Sequence, residues 1–242
     1  MKQIKFPRLI AHRGANLLAP ENTLASLRKA ADLGAKWVEF DVMLTSDRQA
    51  IIMHDLRLDR TTNGRGKVSN TSWQIIRQLD AGSWFSPAFA GEKVPLLEDY
   101  VKTAAELGLG MNIEMKGNVF TAGLLAEHVV SVLAQHWNKH LPKPLITSFS
   151  KSCLKAVYKR TPELALGWIS SKWWRNMSHK LDQLHCISLS ADEKILTRER
   201  VQELRDHGKH VLAYTVDDAH RARELLDFGV DGIFSNNPQL LG

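Results

Sequence analysis

Short apolar runs alternate with helix-periodic segments along almost the whole chain, and this alternation is the strongest constraint on its fold. Strand-like runs fall at Arg8–His12, Trp37–Leu44, Ala50–His54, Met111–Lys116, Pro144–Phe149, Leu164–Ser170, His185–Ser190, His210–Val216 and Asp231–Ser235. Helical periodicity marks Glu21–Leu33, Leu97–Leu107, Ala122–Trp137, Lys151–Arg160, Lys194–Asp206 and Asp218–Phe228. Such spacing argues for parallel β/α units. Gly34, Gly108, Gly208 and Gly229 each stand just past a helical stretch, where a residue able to turn left-handed ends a helix. The rhythm fits a closed barrel better than an open sheet.

Nine runs are one too many for an eight-stranded barrel. The connection Thr45-Ser46-Asp47-Arg48-Gln49 removes the excess, because five residues cannot carry a parallel crossover. Trp37–Leu44 and Ala50–His54 are therefore expected to form an antiparallel hairpin, a barrel strand with a return arm. The expected fold class is α/β, a (β/α)8 TIM-type barrel, and 242 residues suit one such domain spanning 1–242. From His54 to Pro95 apolar periodicity lapses, while Trp73, Trp84 and Phe85 argue against disorder. Residues 55–95 are expected to form a small inserted subdomain after the second barrel strand and its hairpin, since long loops in compact domains usually serve function.

Composition narrows the function classes. The formal charge of +6 suits anionic substrates, and equally a nucleic-acid surface. No helical Lys/Arg stripe, RNA-binding aromatic motif or zinc-finger spacing accompanies it, so nucleic acid is not an expected partner. No stretch approaches the roughly 18 apolar residues of a membrane helix, and the first residues hold no signal-like apolar segment. Cys153 and Cys186 stand far apart in no metal or redox spacing. A reduced, cytoplasmic setting is the natural expectation.

The chemistry lies at the strand ends, where barrel enzymes carry their reactive groups. Glu39 and Asp41 project to one face of their strand. A two-residue turn centred on Asp47-Arg48 would set His54 opposite Asp41, whereas a one-residue slip would turn it to the other face. His12 and Arg13 end the first strand. Asn112, Glu114 and Lys116 share one face of theirs, a polar alternation unusual for a barrel interior unless the strand lines a site. A lone strand-end histidine is more often structural, and a lone Glu-x-Asp more often an exposed edge. Their joint placement at three strand ends is what points to a site. Glu39, Asp41 and Glu114 suggest a hard divalent cation, Mg²⁺, Ca²⁺ or Mn²⁺. Arg13 and Lys116 would clamp phosphate charge, and His12 and His54 could trade a proton as acid and base. The set reads as phosphodiester cleavage.

At these residues the chain resembles the glycerophosphodiester phosphodiesterase family, most of all its bacterial cytosolic type. The matching motifs are IAHRG (Ile10–Gly14), APENT (Ala19–Thr23), VEFDV (Val38–Val42), MHD (Met53–Asp55), DAGSWF (Asp80–Phe85), VPLLED (Val94–Asp99), NIEMK (Asn112–Lys116), TSF (Thr147–Phe149), YTVD (Tyr214–Asp217) and VDGIFS (Val230–Ser235). The resemblance implies an eight-stranded barrel with an insertion after the MHD motif, and hydrolysis to sn-glycerol 3-phosphate and an alcohol. It implies Glu39, Asp41 and Glu114 as metal ligands, His12 and His54 as the acid/base pair, and Arg13 and Lys116 as phosphate contacts. Attack by the neighbouring glycerol hydroxyl, through a cyclic intermediate, and direct attack by water both fit.

One departure stands out: Ser235-Asn236-Asn237-Pro238 replaces the family's usual Thr-Asp-x-Pro. A loop or helix-cap role is expected for Asn236, with little effect on chemistry. Asn22 is expected to cap the first helix or to contact substrate. Trp84 and Phe85 either close over the glycerol site or pack the insertion, and Trp173-Trp174 either pack or meet the leaving alcohol. Competing functions are a lysophospholipase D-type phosphodiesterase, which needs an acyl groove, and a non-catalytic barrel that binds phosphorylated ligands. The expected partner is a small-molecule glycerophosphodiester, without stable membrane association, and a homodimer is compatible with the sequence.

Overall fold

The computed structural model describes residues 4–137 and 140–241, so the extreme ends of the expected 1–242 domain lie outside the described residues. Eight parallel strands close into a ring: β1 (Leu9–His12), β2 (Trp37–Leu44), β4 (Gly110–Met115), β5 (Leu145–Ser148), β6 (Ala165–Ser170), β7 (Ser188–Asp192), β8 (His210–Tyr214) and β9 (Gly232–Ser235). Closure comes from β1, which pairs with β2 on one side and β9 on the other. The remaining strand, β3 (Ala50–Ile52), pairs antiparallel with β2 outside the ring. This is the expected TIM-type barrel with its return arm.

Helices cover the outside: α1 (Leu24–Asp32), α3 (Leu97–Glu106), α4 (Ala122–His136), α5 (Lys151–Arg160), α6 (Met177–Gln183), α7 (Arg198–Asp206) and α8 (Ala219–Phe228), with a short α2 (Trp73–Ile76) in the insertion. α6 has no counterpart in the sequence expectation. It is seven residues long, and its buried apolar side chains are only Met177 and Leu181, too few for periodicity to show. The expected helix 194–206 is split. Asp192 caps a 3-10 turn at Glu193–Ile195, and the Thr197 side chain accepts from Arg200 N to start α7. The strand expected at His185–Ser190 begins three residues later, because left-handed His185 (φ 56°) still belongs to the end of α6. The four glycines placed after helices all take positive φ.

Strand alternation divides the core. Val38, Phe40 and Val42 face the helix layer, where the Phe40 ring packs at a tilt against Tyr100 of α3, centroids 4.5 Å apart. The barrel interior is apolar at the strands' N-terminal end, filled by Phe6, Ile10, Trp37, Leu145, Leu212 and Phe234. Trp37 fits because Gly110 lies across from it; a Cβ there would sit 2.4 Å from the indole. Toward the C-terminal ends the interior turns polar, with Glu39, Asp41, Asn112, Thr147 and Ser190 all buried. Desolvated polar side chains need partners, so this half of the barrel is built for something other than packing.

The segment after β3 makes its own apolar cluster, with Met43, Ile51, Met53, Leu58, Val68, Ile76, Ala81 and Val94 buried together. Its exit is stitched beside its entry: Ile52 N donates to Pro95 O at 2.9 Å. Among the described residues, no helix is long and apolar enough to cross a membrane.

Phe40 is fully buried against Tyr100 of α3. Phe40→Ala is expected to cost about 3–5 kcal/mol of folding stability, read as a lower denaturant midpoint with little change in slope.

Candidate active site

The charged side chains reach the barrel mouth in pairs from three strand ends. Glu39 and Asp41 come from β2, Glu114 and Lys116 from β4 and the residue after it, and His12 and Arg13 from the end of β1. Register brings them level: His12 pairs with Glu39, and Asp41 with Glu114. Ligand oxygens of Glu39, Asp41 and Glu114 all lie within 4.8 Å of one another.

The hairpin register differs from the expected one. Val42 pairs with Ile52, Met43 with Ile51 and Leu44 with Ala50, so Asp41 faces Met53, whose N–H donates to Asp41 O at 3.0 Å. The turn holds three residues between Thr45 and Gln49, with Arg48 left-handed at φ 66°. A three-residue loop of this kind moves the register by one from that of a two-residue turn. His54 nevertheless lines the same cavity as His12 and Glu114. The ladder stops at Ile52, so the strict alternation that would have turned His54 away no longer governs it.

Burial and proximity set the charge states. Burial, with the charges of Asp41 and Glu114, pushes Glu39 well above the usual carboxylate range. Burial, with the Asp41 charge, lifts Glu114 to about 7. Burial alone would raise Asp41 too, but Lys116 and Arg13 hold it below its ordinary value. Lys116 Nζ lies 3.0 Å from Glu114 and 3.3 Å from Asp41, and Arg13 Nε lies 3.5 Å from Asp41. Among the described residues Glu39 makes no ion pair with a Lys or Arg side chain; its Oε2 accepts from the Arg13 backbone N–H at 3.0 Å. Asp41 Oδ1 is buried without a hydrogen bond among the described residues, although Lys116 Nζ lies 3.3 Å from it. Three acids that repel one another, one of them short of hydrogen bonds, form an oxygen-only donor set that fits a hard divalent cation.

Both histidines are anchored through Nδ1. His12 Nδ1 lies 2.7 Å from Asn236 Oδ1, and His54 Nδ1 lies 2.7 Å from Asp55 Oδ1. Burial, with the Arg13 charge, drives the His12 pKa down to about 4. His54 is lowered as well, chiefly by burial.

Several contributing residues hold roles that the sequence reading did not give them. Asn22 neither caps α1 nor lines the main cavity. Thr23 is the cap, and Asn22, left-handed at φ 58°, brackets Asp41 by donating to Oδ2 at 2.9 Å and accepting from Asp41 N at 3.3 Å. Arg60, from the insertion, donates to Asp55 at 2.7 and 2.9 Å and to Glu21 at 2.7 and 2.8 Å, while Glu21 also accepts from Arg13 at 2.9 Å. One chain of ion pairs thus joins Arg13 to His54 across the site. Asn236 is no mere loop residue, since it touches His12. Motif membership flagged Glu21, Asn22 and Asp55, whereas nothing in the spacing singles out Arg60.

The cavity at this mouth has a volume of about 240 Å³. Opposite the charged wall stand Thr147, Phe149, Ile169, Ser190, Tyr214 and Phe234. Asn112 Oδ1, Ser190 Oγ and Tyr214 Oη are buried there with no hydrogen-bond partner among the described residues. Trp84 and Phe85 border an adjoining cleft beside His12 and Asn236 and also pack edge-to-face on each other at 5.7 Å. Trp173 packs beneath Arg200 at 5.1 Å, and Trp174 is bonded to Ser170; neither lines the cavity.

The sequence profile of the Glycerophosphoryl diester phosphodiesterase family matches residues 12–240. The chain belongs to this family. A glycerophosphodiester phosphodiesterase of Bacillus subtilis is 36% identical, over 96% of this chain and 84% of that one. Another, from Caldanaerobacter subterraneus, is 31% identical over 96% and 95%. A phosphodiesterase of Oleispira antarctica, solved in complex with the product sn-glycerol-3-phosphate, superposes with a TM-score of 0.94 at 37% identity, covering 96% of this chain and 94% of that one.

Asn22→Ala is expected to cost about 1–3 kcal/mol, because it strips hydrogen bonds from the buried Asp41. Denaturant unfolding of the purified variant checks this.

Proposed function

We propose that this family member is an enzyme hydrolysing glycerophosphodiesters to sn-glycerol 3-phosphate and an alcohol, with a divalent cation and two histidines. The observation that carries the reading is the convergence at one cavity of three buried carboxylates, two cationic side chains and two anchored imidazoles. The relatives with this name support the substrate class, as does the related phosphodiesterase solved with sn-glycerol-3-phosphate.

Glu39, Asp41 and Glu114 would hold the cation, Mg²⁺, Ca²⁺ or Mn²⁺; when bound, it offsets phosphate charge as a Lewis acid. Arg13 and Lys116, which pair with Asp41 at the cavity wall, would grip the remaining phosphoryl oxygens. His12 and His54, both on the cavity wall, take up a proton from the attacking oxygen and return one to the leaving alcohol. The buried, unpaired polar atoms of Asn112, Ser190 and Tyr214 suit the hydroxyls of a glycerol moiety. Phe149 is half-exposed at the rim, which makes lysophospholipid the competing substrate to assay. The free cysteines Cys153 and Cys186 are both buried, consistent with a cytoplasmic setting.

Glycerol 3-phosphate release from glycerophosphocholine should require divalent cation, stop with chelator and resume on adding metal back. Release from no glycerophosphodiester under any metal would sink the reading, and a comparable rate on lysophospholipid would move the activity to the lysophospholipase D class. His12→Ala and His54→Ala should each lower turnover by about 100-fold or more while remaining folded. A variant that keeps near wild-type turnover does not carry the role given to its histidine.

A further inference from the structure

His12 is backed by a side chain without charge, and that side chain is itself held from both ends. Asn236 Oδ1 accepts from Asn16 Nδ2 at 2.6 Å and lies 2.7 Å from His12 Nδ1. On the other side, Asn236 Nδ2 donates to Asp217 Oδ2 at 2.6 Å. The second oxygen of Asp217 accepts from the Asn236 backbone N–H at 2.8 Å and from Ser235 Oγ at 2.9 Å. Only one orientation of the amide satisfies these neighbours. Rotated by half a turn, its oxygen would face a carboxylate oxygen and its NH₂ would face the NH₂ of Asn16.

An amide oxygen can only accept a hydrogen bond, so the hydrogen between these two side chains sits on His12 Nδ1. In the neutral ring the lone pair is then on Nε2, the nitrogen that lies 3.8 Å from Glu39 Oε2 at the carboxylate cluster. A carboxylate at position 236 would meet Asp217 as a like charge. The amide makes the contact to His12 compatible with an acid directly behind it.

We propose that Asn236, clamped by Asp217, is a positioning residue that locks His12 in its Nδ1–H tautomer and so presents Nε2 to the substrate as proton acceptor. This rests on the reading of His12 as a proton-transfer group. Asp217 acts at one remove, by fixing which end of the amide meets the imidazole.

The test is ¹⁵N NMR of the full chain with labelled histidine, the His12 signals being assigned by their loss in His12→Ala, alongside steady-state kinetics on glycerophosphocholine. Wild type should show a protonated Nδ1 and an unprotonated Nε2. Asp217→Asn frees the amide to rotate, and Asn236→Leu removes it. Each should change the His12 tautomer pattern and lower kcat on the order of 10- to 100-fold, with KM changed by less than about 2-fold. The double swap of Asn236→Asp with Asp217→Asn rebuilds one acceptor toward His12 and one donor behind it. It should recover both the tautomer pattern and most of kcat, which a general packing role would not produce. An Nε2–H tautomer in the wild type, or an unchanged spectrum and kcat in folded Asn236→Leu, would overturn the proposal alone. Retained turnover in His12→Ala would overturn the proton-transfer reading beneath it.

Discussion

Three carboxylates share one desolvated corner of the barrel, and their mutual repulsion is the constraint that the rest of the site answers. Acids so close and so poorly hydrated cannot all ionise unless something positive is brought to them. The chain brings Lys116 from the end of β4 and Arg13 from the end of β1, the strands on either side of β2. Two cations against three acids leave a deficit, and it falls on Glu39, which receives only a backbone amide and the edge of His12. The same imbalance that destabilises the corner is what fits it to the divalent ion of the proposed function. Apolar packing below, around Trp37 and Phe234, closes the barrel floor, so the unpaired charge can be answered only from the open end.

Most of this was readable from residue order. Parallel strand–helix alternation, with a five-residue connection that cannot cross over, favours an eight-stranded ring with a return arm over an open sheet. Period-two alternation places Glu39 with Asp41, and Asn112 with Glu114, on the interior. Three things were not readable, each for a stated reason. The hairpin register depended on whether Arg48 would accept a left-handed conformation, which residue type alone does not settle. α6 buries too few apolar side chains to generate a period. Asn22 and Asn236 look like turn residues, as asparagine usually is, and their work depends on which distant side chain the fold sets against them.

Arg60 shows the limit most clearly. It is partly exposed and lies in a segment without periodicity, yet it makes four short contacts to two acids that in turn hold Arg13 and His54. Its partner Asp55 is held strongly ionised, chiefly by these bonds. The insertion therefore reaches the reactive groups through paired charges rather than by covering them, and such a link leaves no trace in hydropathy.

The stitched base of the insertion has an evolutionary consequence. A segment that leaves the barrel at Ile52 and returns through Pro95, joined there by a hydrogen bond and by the bridge between Ile51 and Leu96, behaves as a cassette. Its length can change at small entropic cost, about 0.6 kcal/mol for a doubling, and the ring would not register the change. What a replacement cassette must preserve is narrow: His54 with the Asp55 that anchors it, the hydrophobic underside that seats on Met43 and Ile51, and one cation placed to bridge Glu21 and Asp55. Descendants of this scaffold could therefore diversify the approach to the cavity while inheriting its chemistry intact.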